Sequence, residues 1–206
     1  MRFCSEYLKA TAFFAFGSLT VFPAYGGDLP RLPPVPSWQS EKLQSEKRPA
    51  RFEAFEARFG VFSHDPLGKE EGSVDINGEL LAPLPFDMSS LPEWLIPRAH
   101  IGFSANTSGK TSHAYIGLSW SYDVTERFFI EASFGGAIHN GNTSERAEPG
   151  RNCLGCSPLF RESLSIGYRF THNWNVMATI EHLSNAGLCS ENRGLTNAGI
   201  RLSYLF

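Results

Sequence analysis

The chain has 206 residues and carries 18 Lys and Arg residues against 21 Asp and Glu residues, a net charge of −3. This length suffices for one domain with a sizeable core, and the charge excludes the basic footprint of a nucleic-acid-binding protein. Aromatic residues make up 13% of the chain, which also holds 19 Gly. This composition favours strands and turns over helices.

The first 26 residues are typical of a secretory signal peptide. Arg2 and Lys9 supply the positive charge, and residues 10–24 are mostly apolar. Ala24-Tyr25-Gly26 offers small residues for signal peptidase, so we predict cleavage after the last of them. The alternative is a buried N-terminal helix. The mature chain is therefore predicted to be exported.

Residues 27–50 are predicted to form a Pro-rich periplasmic N-terminal segment. They hold four prolines within seven residues, followed by a mostly polar run, and show no hydrophobic period. Neither this segment nor the rest of the mature chain has the ~18 continuous apolar residues that a transmembrane helix needs.

From residue 51 to the end, apolar and polar residues alternate in eight segments, which is the period of β-strands. Short and long connections alternate between them, as in outer-membrane barrels with short periplasmic turns and long outer loops. We therefore predict that residues 51–206 form one domain, an all-β, eight-stranded antiparallel transmembrane β-barrel of the bacterial outer membrane. The segments are 51–63, 72–84, 97–104, 113–122, 127–137, 161–170, 174–185 and 196–206.

The two faces of these strands differ in the way that a small membrane barrel requires. One face is apolar, and the other carries Arg, Glu and Ser in strand after strand, which suits a polar interior. Aromatic residues at the predicted periplasmic ends are expected to form a girdle, and the chain ends in an aromatic residue. The alternative, a secreted β-sandwich, would not repeat this inside-out pattern. The girdle residues are Trp120, Tyr122, Tyr168, Phe170, Trp174, Tyr204 and Phe206.

Two polar residues interrupt the apolar face of the seventh segment at its outer end. The two-residue period places His182 and Ser184 on the same face as Val176, Ala178 and Ile180, so both should face lipid. A general base beside a hydroxyl is the minimum for an activated serine nucleophile. The alternative is that both side chains simply face lipid headgroups at the rim.

The sequence around this pair resembles the PagL family of lipid A 3-O-deacylases. The resemblance is carried by Glu181-His182-Leu183-Ser184-Asn185-Ala186-Gly187-Leu188, followed by Asn192-Arg193-Gly194-Leu195. It implies an outer-membrane barrel that hydrolyses the ester at position 3 of lipid A and releases a 3-hydroxy fatty acid. It implies no cofactor and no metal. The implied partners are lipopolysaccharide and the outer membrane, and a homodimer is left open.

The same resemblance assigns roles to five residues. It implies His182 as the general base and Ser184 as the nucleophile. It implies an oxyanion hole formed by the Asn185 side chain and by backbone N–H groups around Ala186 and Gly187. Such donors must be fixed ~3 Å from the oxyanion, and glycine permits the close backbone approach.

The chain departs from the family at the third member of the triad. The family has a Glu at the start of the last strand, where this chain has Thr196. A Thr supplies no negative charge to hold an imidazolium. A non-catalytic structural or adhesive outer-membrane barrel is therefore the rival interpretation.

Strand register suggests a replacement acid. If a tight turn at residues 171–173 sets the pairing of the flanking strands, His182 falls directly opposite Glu162, with Cβ atoms ~5 Å apart. We hypothesise that Glu162 replaces the missing acid. Glu181 should point into the barrel, and Glu191 in the following loop is a further candidate.

Three cysteines remain after signal removal, which predicts one disulfide and one cysteine left over. Cys153-Leu154-Gly155-Cys156 resembles half of a zinc site, but no second half follows. Cys189 lies just past the His-Ser segment. A disulfide between its loop and the loop that carries Cys153 and Cys156 is therefore one of the pairings left open.

Overall fold

The computed structural model describes residues 51–144, 146 and 148–206, so the predicted signal peptide and Pro-rich segment lie outside the described residues. Two short 3-10 helices, Arg51–Glu53 and Glu93–Leu95, accompany eight strands. No helix in the described part of the chain is long and apolar enough to cross a bilayer. The strands are β1 (Glu56–His64), β2 (Ser73–Pro83), β3 (Arg98–Asn106), β4 (His113–Asp123), β5 (Phe128–His139), β6 (Leu159–Arg169), β7 (Trp174–Ser184) and β8 (Leu195–Leu205).

The eight strands form one closed antiparallel barrel, as predicted. Each strand pairs with its sequence neighbour, and β1 pairs with β8, with Val61 opposite Ile200. Closure leaves no unpaired strand edge, which matters in a bilayer because each unsatisfied backbone group there costs several kcal/mol.

Strand ends match the sequence pattern to within two residues except at the start of β1. The alternation predicts a strand from residue 51, whereas β1 begins at Glu56. Residues 51–53 instead form a 3-10 helix that lets Arg51 reach into the barrel, where its guanidinium lies 3.6 Å from the centre of the Phe129 ring. A cation–π contact of this kind stabilises a buried arginine.

The outer wall of the barrel is apolar. Phe59, Ile101 and Ile116 each expose more than half of their side-chain surface, and they all point away from the lumen. At the periplasmic end, Trp174 and Tyr204 lie with ring centres 4.9 Å apart. An apolar band with aromatic residues at its margin is the surface that a bilayer covers.

The lumen is filled with ion pairs. Near the periplasmic end, Arg58 donates to Glu79 at 2.8 Å and to both carboxylate oxygens of Glu131, one of them at 2.8 Å. Three more lumen arginines, Arg98, Arg161 and Arg201, are each at most 2% exposed. The middle of the lumen is therefore closed to bulk water.

A polar cluster closes the outer end of the lumen and joins three outer loops. Glu70 accepts hydrogen bonds from the backbone N–H groups of Thr111 and Asn152, and its carboxylate also lies 3.2 Å from the His64 ring. Burial by itself raises the pKa of Glu70, but the bonds from His64, Asn152 and Thr111 together lower it to about 2. The carboxylate therefore stays ionised and keeps the loops joined across ordinary pH.

Removing one carboxylate from the lumen should destabilise the barrel. We expect Glu131→Ala to lower the free energy of unfolding by about 3–5 kcal/mol, because Arg58 and Arg98 lose one of the two buried carboxylates that they share and keep only Glu56 in common. Urea unfolding in detergent micelles, followed by gel migration of the folded barrel, measures this change. Glu148→Ala, at an exposed loop position, is the control. Equal unfolding midpoints for the two variants would show that the lumen pairs contribute no net stability.

Candidate active site

The outer end of β7 presents His182 and Ser184 on the membrane-facing side of the wall. Both are half-buried, and they alternate with Glu181, Leu183 and Asn185, which are buried toward the lumen. This is the placement that the two-residue period predicts. A histidine and a serine therefore stand side by side at the level of the outer leaflet.

The imidazole of His182 lies between two polar neighbours on adjacent strands. On the β8 side, its Nδ1 lies 2.8 Å from Oγ1 of Thr196, in a hydrogen bond. On the β6 side, Glu162 is its direct cross-strand partner, which confirms the predicted register. Glu162 is exposed and makes no hydrogen bond or ion pair with His182 within the described part of the chain. The residue that holds the ring is thus Thr196.

The imidazole of His182 occupies space that is free because residue 194 is a glycine and has no side chain. Gly194 lies one step beyond the last paired residues of β7 and β8, beside Ser184. A Cβ on Gly194 would be 2.8 Å from Cε1 and 3.1 Å from Nε2 of His182, which is closer than side chains pack. The ring therefore leans toward the outer rim and brings Nε2 to the row of Ser184. The described structure has no hydrogen bond between the two, and such bonds often form only in the substrate complex.

The chain turns sharply directly after Ser184. Ala186 and Gly187 both have positive φ, 54° and 80°, and the N–H of Leu188 donates to the carbonyl of Asn185 at 3.0 Å. Two successive positive φ values with this bond are typical of a type I′ turn. For Ala186 the left-handed conformation costs about 1–2 kcal/mol. The backbone N–H of Ala186 makes no hydrogen bond with any residue that the structure describes.

The buried side chain of Asn185 fixes this turn through hydrogen bonds. Its side-chain N–H groups donate to the carbonyls of Leu154 and Glu191 at 2.8 and 2.6 Å, and its Oδ1 accepts the N–H of Gly187 at 2.9 Å. Its own N–H donates to Oδ1 of Asn192. The expectation that the Asn185 side chain donates directly to an oxyanion therefore differs from the structure, because both of its donors are engaged.

The β5–β6 loop braces the loop that follows β7. A disulfide joins Cys156 to Cys189, which is the inter-loop bridge among the pairings left open. The N–H of Arg193 donates to the carbonyl of Cys153 at 3.1 Å. Cys153 is not a free thiol in this structure either.

The other two candidate acids do not approach the imidazole. Glu181 points into the barrel, as predicted, where its carboxylate lies 2.7 Å from the guanidinium of Arg161. Glu191 lies in the β7–β8 loop and contributes its backbone carbonyl to Asn185. The described residues contain no group of three or more His, Cys, Asp or Glu side chains placed to hold a metal ion.

Sequence reasoning missed three contributors to the site. They are the hydroxyl of Thr196, which bonds to His182, the side chain of Asn192, which bonds to the N–H of Asn185, and the carbonyl of Leu154 in the β5–β6 loop. The turn-forming sequence Asn192-Arg193-Gly194 is the signal that indicates a structural role for Asn192.

Comparison with known proteins decides the family. The sequence profile described as lipid A 3-O-deacylase (PagL) matches residues 88–205, more than half of the chain. The chain belongs to the PagL family. A search of curated proteins gave no match.

Solved structures agree on the fold of this PagL-family chain. The crystal structure of the outer-membrane enzyme PagL is 17% identical, covers 72% of this chain and 98% of that chain, and gives a TM-score of 0.56. The N-terminal β-barrel domain of Pseudomonas aeruginosa OprF is 12% identical, covers 75% and 98% respectively, and gives a TM-score of 0.51. The protein is an outer-membrane β-barrel, as the sequence predicts.

Opening the disulfide should loosen the loop beside Ser184. In Cys156→Ser/Cys189→Ser, we expect trypsin to cleave the folded protein after Arg193 roughly tenfold faster, since a disulfide restricts local opening. Cleavage after Arg127, in the periplasmic turn between β4 and β5, is the internal control and should not change. If both sites respond equally, the disulfide stabilises the whole barrel and does not specifically brace this loop.

Proposed function

We propose that this chain is an outer-membrane serine esterase that removes the 3-O-linked 3-hydroxyacyl chain from the lipid A of lipopolysaccharide. The observation that carries the proposal is the position of His182 and Ser184, side by side on the lipid-facing wall at the outer end of β7. Membership of the PagL family supports the substrate and the bond.

In this reaction Nε2 of His182 takes the proton of Ser184, whose Oγ attacks the acyl carbonyl carbon. The tetrahedral intermediate collapses to an acyl-enzyme, and His182 returns the proton to the departing sugar oxygen. Water then attacks the acyl-enzyme as His182 takes its proton, and His182 returns that proton to Oγ of Ser184 as the 3-hydroxy fatty acid leaves. Apart from this water, the chemistry uses side chains and backbone groups of the chain.

The oxyanion donor that fits this geometry is the backbone N–H of Ala186. It is unpaired within the described chain and lies two residues after the nucleophile. Gly187 permits the left-handed turn, and Asn185 fixes it through the bonds to Leu154 and Glu191. Donors that are held before the charge develops stabilise an oxyanion without reorganisation.

The substrate reaches the site sideways from the membrane. The lumen is closed by buried arginines, so the open approach is along the outer wall. Phe160 is the cross-strand partner of Ser184 and stacks on Phe134 with ring centres 5.9 Å apart. This apolar surface suits the acyl chain of a lipid whose ester lies at the nucleophile.

We assign the acidic role of the triad to Glu162, the cross-strand partner of His182. At the position where the family has a Glu, this chain has Thr196, whose side chain is uncharged. That substitution favours the second candidate function, a non-catalytic structural or adhesive barrel. A homodimer stays a prediction.

The two functions predict different lipid A. After expression in a Gram-negative outer membrane, mass spectrometry should show loss of one 3-hydroxyacyl chain, and Ser184→Ala should abolish the loss by removing the nucleophile. Ser63→Ala is the matched control, since Ser63 is another lipid-facing serine at the outer end of a strand. Unchanged lipid A beside folded wild-type protein would contradict the esterase and favour the structural barrel.

A further inference from the structure

We propose that the two tasks of a triad acid are divided between two strands in this chain. Thr196 on β8 orients the imidazole of His182, and Glu162 on β6 supplies the negative charge that stabilises its protonated form. This inference rests on the proposed esterase function and deepens it. In it, Thr196 is a positioning residue and not a defect.

The geometry at Thr196 is that of an orienting group. Its Oγ1 lies 2.8 Å from Nδ1 of His182, and a hydroxyl oxygen can accept the Nδ1–H. With the proton on Nδ1, the free lone pair is on Nε2, which is the ring nitrogen close to Gly194 in the row of Ser184. When the imidazole takes the serine proton, Nδ1–H still donates to the same hydroxyl. The bond to Thr196 can therefore persist through the whole cycle.

A hydroxyl cannot supply the other half of the task. Charge develops on the imidazole as it takes the proton, and a neutral oxygen stabilises that charge less than a carboxylate does. Glu162 lies directly across the strand pair on the same face, where cross-strand Cβ atoms are ~5 Å apart. Lipid on the outer side lowers the local dielectric and strengthens an interaction over this distance.

The arrangement of the strands keeps the two tasks separate. His182 is on the middle strand, and its Nδ1 is already bonded on the β8 side. Glu162 makes no hydrogen bond or ion pair with the ring in the described structure, so its charge acts on the imidazole through space. The lumen-facing Glu181 is bound to Arg161 and does not substitute for it. A single carboxylate at position 196 would combine both tasks, which makes the division testable.

The test compares kcat, KM and their pH dependence for lipid A hydrolysis in mixed micelles. Thr196→Val should lower kcat roughly 10- to 100-fold at unchanged KM, because the ring loses its orienting acceptor. Thr196→Ser, which keeps the hydroxyl, should restore most of the rate and also controls for folding. Glu162→Gln should lower kcat roughly tenfold and move the acid limb of the kcat profile to lower pH.

The decisive variants place the family's carboxylate on β8. Thr196→Glu should raise kcat above wild type, and in that background Glu162→Gln should change kcat less than about twofold. An equal loss from Glu162→Gln in both backgrounds would overturn the division of tasks. Full activity in Thr196→Val, or activity in Thr196→Glu alone, would overturn the positioning role. Inactivity of both wild type and Thr196→Glu, with the barrels folded, would instead contradict the proposed esterase function.

Discussion

The two-residue period of a strand in a closed barrel is the constraint on which the rest of this molecule depends. Because closure pairs every backbone edge, each side chain has only two destinations, the lumen or the membrane. Along β7 this places Glu181 among arginines and His182 against lipid, although the two are adjacent in sequence. The same alternation that fills the lumen therefore creates a site on the outer wall.

Much of this architecture could be predicted because the period is local. The strands, their faces and the register of β6 against β7 follow from alternation and a short turn, and Glu162 lies opposite His182 as that register requires. The start of β1 could not be predicted, because residues 51–53 alternate like a strand but turn inward to bury Arg51 against Phe129.

Details of the site depend on contacts between strands and loops, which a local sequence pattern does not predict. The ring of His182 turns to Thr196 because Gly194 leaves it room, and that choice depends on the space between two strands. The amide of Asn185 is engaged because the β5–β6 loop brings Leu154 beneath the β7–β8 loop. A motif identifies such residues, whereas only the fold decides which of their hydrogen-bonding groups are free.

The two long loops show how a strained turn is kept in place. Ala186 adopts a left-handed conformation that an L-residue disfavours, and the bonds of Asn185 and the Cys156–Cys189 disulfide hold the surrounding loop. In the described part of the chain, the N–H of Ala186, two residues after Ser184, makes no hydrogen bond. Strain, bracing and a free donor occur together at the outer end of β7, which is what a preorganised esterase site requires.

The central claim is that Ser184 is a nucleophile activated by His182 at the membrane surface. It is tested most directly by treating the folded protein in micelles with a lipid-tailed fluorophosphonate and mapping the adduct by peptide mass spectrometry. The account predicts one adduct, on Ser184, that fails to form in His182→Ala. An unlabelled Ser184 in the folded wild-type protein, or labelling that is independent of His182, would contradict it.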